Sequence, residues 1–137
     1  MLEGIEILET TENPCDGLLK LSNLGKFIYR TVLTVLNVKK HFIIKRKLSI
    51  AETHEECARL LDAMEEIILA EKANVEATIP IVNGDSRLGW EPTMEYITDE
   101  EALRWKLRQL DYELNNRFPL YRKGTDQRDI IGKNGEC

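Results

Sequence analysis

A chain of 137 residues with 42% apolar and 31% charged residues is long enough to bury one core and too apolar for wholesale disorder. Its net charge of −5 argues against recruitment to nucleic acid by bulk charge, and no apolar run approaches the roughly 20 residues that cross a bilayer. Cys15, Cys57 and Cys137 are odd in number and lack CxxC or Cys/His spacing, which points away from a disulfide framework or a zinc site and toward a reducing, cytoplasmic setting.

Residues 1–17 open with four glutamates and no Lys or Arg, unlike a secretory signal. Gly4-Ile5-Glu6-Ile7-Leu8-Glu9 alternates apolar and acidic residues, which predicts a short strand or extended arm, and Asn13-Pro14 and Asp16-Gly17 mark a break after it.

From Ser22 to Leu48 the residues Leu21, Leu24, Ile28, Val35, Val38 and Phe42 recur at three-four spacing, widened by Phe27, Val32, Leu36 and Ile43. This pattern predicts a long amphipathic helix of roughly 40 Å with that stripe in the core, capped by Ser22 or Asn23. Lys45, Arg46 and Lys47 fall where the carbonyl end of the helix dipole favours cations. His41 has no orienting partner in the local sequence, so it does not read as a catalytic base.

Ser49-x-x-Glu52 and Thr53-x-x-Glu56 both have capping-box spacing and announce a second helix ending at Pro80. Its stripe is Cys57, Leu60, Leu61, Met64, Ile67, Ile68, Val75 and Ile79, which makes Cys57 a buried structural thiol, while His54 reads as solvated. Residues 17–51 carry eight Lys/Arg and no acid, whereas 52–79 carry eight acids and two bases. The expectation is an antiparallel pair in which the two helices neutralise each other. A regulator using the basic helix on nucleic acid is the alternative, disfavoured by the net acidity.

A third helix is expected from Thr98-x-x-Glu101, with Leu103, Leu107, Leu110 and Leu114 as its stripe and Trp105 and Tyr112 off that line. Phe118-Pro119 is its expected end. The fold predicted is all-α: a bundle of three main long helices over residues 18–119, preceded by the arm, 1–17, and followed by a mobile tail, 120–137. Lateral apolar surface on three long helices favours self-association or attachment to a larger catalytic protein.

Between the second and third helices lies a long structured loop that concentrates the polar chemistry of the chain. Asp85, Arg87, Glu91 and Glu95 are residue types that hold an anion, a hard cation or a proton, and Trp90 and Tyr96 are faces on which a sugar ring stacks. These six are the candidate binding residues. The competing structural reading has Asp85 accepting backbone N–H groups, Arg87 bridging carboxylates, Gly89 supplying an unusual backbone angle, and Leu88, Trp90 and Met94 plugging the end of the bundle. No GxSxG, HExxH, phosphate loop or Gly-rich dinucleotide turn is present, so no residue is assigned a catalytic, metal or cofactor role.

Leu33-Thr34-Val35-Leu36-Asn37-Val38-Lys39, Ala73-Asn74-Val75-Glu76-Ala77-Thr78-Ile79-Pro80, the loop from Asp85 to Tyr96, and Leu103-Arg104-Trp105-Lys106 together resemble the helical C-terminal region of large bacterial proteins related to glycoside hydrolases. The resemblance covers residues 18–118. It implies an all-helical accessory region that packs on a catalytic barrel or contributes to the rim of a carbohydrate site. The chain holds no barrel, so catalytic carboxylates of that family are not carried over to it.

Overall fold

The computed structural model describes residues 2–85, 87–89 and 98–125. Helix accounts for 87% of them and no strand occurs among them, an all-α bundle as the periodicity requires. The elements are α1 (Leu2–Glu9), α2 (Asp16–Ile50), α3 (His54–Gly84) and α4 (Glu100–Tyr112), followed by a π-helical stretch, Glu113–Arg117, and a resumed helix over residues 118–125.

The N-terminal segment is the first correction: it is helix α1, neither strand nor extended arm. Ile5 is buried against α2 close to Gly25, where an added Cβ would stand 3.2 Å from Ile5 Cγ1, and Lys26 pairs with Glu9. A strand with no neighbouring strand leaves its backbone groups unpaired; a short helix satisfies them internally. The Thr10 and Thr11 hydroxyls donate to the carbonyls of Glu6 and Ile7 at its end, and Asn13, at φ 54°, turns the chain toward Pro14.

Helix boundaries move at five points. Helix α2 starts at Asp16, so Ser22 lies inside it, buried, instead of capping it. Ser49 belongs to the last turn of α2 and donates to the Arg46 carbonyl at 2.7 Å, leaving Thr53 as the cap of α3, its Oγ1 accepting the Glu56 N–H at 3.2 Å. Pro80 does not end α3, because Ile81 and Val82 beyond it are buried and hold the helix on to Gly84. Asp99, not Thr98, caps α4, its Oδ1 accepting the Ala102 N–H at 2.8 Å. Phe118-Pro119 does not end the last helix either. The Phe118 N–H reaches back to the Glu113 carbonyl in a wider π turn, which accommodates the following proline ring and its missing N–H. Residues 120–125 therefore continue the helix, and 126–137 lie outside the described residues.

The chain divides into two compact units, residues 1–35 with 73–107 and residues 36–72 with 108–137. In the first, Ile5, Val75, Ile81, Val82 and Leu103 are buried, and the α2–α3 seam is made by an amide: Asn74 Nδ2 donates to the Arg30 carbonyl at 3.0 Å and to Thr34 Oγ1 at 3.1 Å. In the second, Leu61, Met64, Ile68 and Phe118 form a closed cluster joined by Ile44, Leu48, Leu110 and Leu114. Asn37 Nδ2 donates to Glu71 Oε2 at 2.7 Å across its α2–α3 seam. Asp62 and Glu65 on α3 find their cation on Arg122, at 2.8 and 2.6 Å, and Lys72 finds Asp111 at 2.6 Å. Two acids of α3, Asp62 and Glu65, thus take their cation from the last helix, where the charge pattern suggests α2.

Candidate functional site

The connection after α3 is built on Asp85. Its carboxylate accepts three N–H groups from Arg87: the backbone N at 3.1 Å, Nε at 2.9 Å and Nη2 at 2.6 Å. Its carbonyl accepts the Leu88 N–H at 3.0 Å. The Asp85 side chain is only 5% exposed, while that of Arg87 is 68% exposed. The Arg87 guanidinium bound edge-on, its backbone N–H, and more distant Lys20 hold the Asp85 carboxyl down to about 2. Such a group stays ionised across any ordinary pH and is no general acid or base.

Gly89 follows at φ +80°, and its carbonyl accepts the Thr98 N–H at 2.8 Å. A Cβ there would stand 2.5 Å from the Thr98 carbonyl oxygen, so only glycine permits this approach. Leu88 is buried beside it. The connection is therefore pinned at both ends by its own groups. Of the six candidate residues, the structure brings Asp85 and Arg87 together; Trp90, Glu91, Glu95 and Tyr96, with Met94, lie outside the described residues. Asp85 accepts a backbone N–H, as the structural reading of the loop has it, while one edge of the arginine fork is occupied by the carboxylate of Asp85 itself, two residues away.

Elsewhere in the first unit an open groove of about 340 Å³ is lined by Phe27, Arg30, Thr34, Val75, Trp105 and Lys106, among others. Arg30 donates to Asn74 Oδ1 at 3.5 Å and lies 5.7 Å from the Tyr29 ring centroid. No group of three or more His, Cys, Asp or Glu among the described residues could hold a metal ion. His41, in the second unit, is pushed below its ordinary pKa by burial, against the raising influence of Glu113 and with Lys45 adding to the decrease. Cys57 is buried, as its place on the stripe predicts, and His54 is half-buried where solvation was expected.

The largest departure from sequence expectation is the outer side of α2. Leu21, Leu24, Ile28, Val32 and Val35 in the first unit are 42 to 51% exposed, and Leu36, Val38, Phe42 and Ile43 in the second are exposed as well. These are the residues assigned to the core by their spacing. The side of α2 turned inward is mixed, with Phe27, Leu33, Ile44 and Leu48 sharing it with Asn23, Arg30, Thr34 and Asn37. Ser22 is the one residue of α2 that is fully buried. Lys39, Lys40, Arg46 and Lys47 make no ion pair among the described residues.

Comparison with protein-family models, curated proteins and solved structures finds no match. No helix among the described residues is long and apolar enough to cross a membrane.

Proposed function

We propose that the chain is a non-catalytic helical interaction module. One observation carries the reading: the most regular apolar stripe in the sequence lies on the outer side of α2, where large aliphatic side chains stand in solvent along successive turns. Scattered exposed apolar residues are ordinary on a protein surface, but a continuous row of them at helical spacing marks a surface that is covered in use. The Asp85–Arg87 pair supports the same reading from the other direction, because these two candidate ligand-binding groups bind each other. As the accessory part of a carbohydrate-active system, the role implied by the sequence resemblance, this face would pack on a larger catalytic protein.

The test is a variant carrying Leu24→Gln, Ile28→Gln, Phe42→Gln and Ile43→Gln. The interaction reading expects its helical circular dichroism and urea midpoint to stay near wild type while association, with itself or with a co-purifying protein, is lost. Unfolding of the variant would show that these side chains hold the fold together and would overturn the reading. Calorimetry with oligosaccharides separates the carbohydrate-binding alternative, which expects heat that disappears in Arg87→Ala.

A further inference from the structure

We propose that the first unit pairs with a second copy of itself through α2, antiparallel, with the two-fold axis at Ile28. The pairing rests on the reading of α2 as an interaction helix and names its occupant.

Three observations carry it. The first is the spacing. Leu21, Leu24, Ile28, Val32 and Val35 are distributed symmetrically about Ile28, so reversing the helix direction sets Leu21 against Val35, Leu24 against Val32, and Ile28 against its own copy. A patch that maps onto itself under a two-fold rotation is what an isologous interface requires. Thr31, which lies beside the row, donates its hydroxyl to the Phe27 carbonyl at 2.9 Å and so brings no unpaired polar hydrogen to the contact.

The second is charge. Two copies of one surface repel if that surface carries unmatched charge. In this unit Lys20 and Lys26 of α2 pair with Asp16 and Glu9, and Arg30, which donates to the neutral Asn74 amide, lies on the inward side of the helix, away from the row. The row can meet its own copy without bringing a bare cation against another. The later turns of α2, with Lys39, Lys40, Arg46 and Lys47 lacking ion pairs among the described residues, do not offer a copy that advantage. Antiparallel packing also sets the two helix dipoles head to tail.

The third is area. Five half-exposed aliphatic side chains offer roughly 400 Å² per copy, about half of the ~800 Å² each partner contributes to a standard stable interface. An area of that size allows only a weak, reversible pairing, for which a Kd on the order of 10 µM or above is the expectation.

Sedimentation velocity of the full chain from about 1 to 200 µM tests it, spanning the expected Kd. The weight-average mass should rise from 15.8 kDa toward the dimer value, and Ile28→Glu should remain monomeric with an unchanged helical spectrum. Cross-linking fixes the geometry independently of that variant's folding. In a Cys15→Ser, Cys137→Ser background, Ile28→Cys should oxidise rapidly to a covalent dimer. Leu21→Cys should not, except when mixed with Val35→Cys. A chain monomeric throughout with no Ile28→Cys dimer overturns the pairing, as does a dimer indifferent to Ile28→Glu, or self-cross-linking of Leu21→Cys alone. So does a monomer that partitions onto phosphatidylglycerol vesicles instead. A monomer whose co-purifying partner is lost in the glutamine variant would end the self-pairing and leave the interaction module standing.

Discussion

Arg87 grips the carboxylate of Asp85, two residues before it, through both Nε and Nη2, at 2.9 and 2.6 Å, while its own backbone N–H binds the same carboxylate. Folding thus converts the two most reactive-looking neighbours of the loop into a local clamp. The clamp makes a pH-dependent contribution to stability. The folded carboxyl is held at about 2, below its ordinary 3.8, so the folded state binds the proton less readily than the unfolded chain. The stabilisation is complete above the unfolded value and fades as pH falls through the folded one. The urea midpoint of wild type should exceed that of Asp85→Asn by a constant margin above pH 5, and the margin should shrink as the pH is lowered toward 2.

Gly89→Ala forces a Cβ to within 2.5 Å of the Thr98 carbonyl oxygen at a φ of +80°. Substitution should cost about 2 kcal/mol, the strain of a left-handed backbone plus the opening of the Gly89–Thr98 bond. Urea denaturation checks it, and Gly4→Ala, which meets nothing within 4 Å, is the control.

Asn74 is buried and joins α3 to both the Arg30 carbonyl and the Thr34 hydroxyl. Asn74→Ala should cost about 2 kcal/mol, because two acceptors on α2 lose their donor.

Ser22 is buried with its hydroxyl lacking a partner among the described residues. Ser22→Ala should leave stability unchanged or raise it by about 0.5 kcal/mol, the reverse of the loss expected had this residue capped the helix.

Leu61 and Phe42 separate the two readings of the core. Leu61 is fully buried in the α3 cluster, so Leu61→Ala should cost about 3 kcal/mol. Phe42, assigned to a core stripe by its spacing, is 59% exposed, and Phe42→Gln should cost less than about 0.5 kcal/mol. Equilibrium unfolding of the two variants decides between an inward and an outward stripe.

Helical class, the α3 stripe around Leu61, the Thr53 cap, the special backbone at Gly89 and the backbone N–H taken by Asp85 are legible in the residues; that the Arg87 guanidinium closes on that same carboxylate is not. Each legible feature depends on neighbours within a few positions, or on a periodicity that one helix carries alone. The ends at Pro80 and Phe118-Pro119 were misread for a related reason: a proline disfavours helix locally, and only Ile81, Val82 and Phe118, buried by other segments, outweigh it.

The sequence by itself determined that this chain makes long amphipathic helices, because the spacing of apolar residues and the chemistry of the caps are local. Only the tertiary structure decided which side of α2 turns inward. Periodicity identifies an apolar side but not what covers it, and here Asn74 and Glu71 on α3 meet the polar groups of α2, Arg30, Thr34 and Asn37, leaving the aliphatic row outside. Burial belongs to a pair of surfaces, and a single helix sequence specifies one of them.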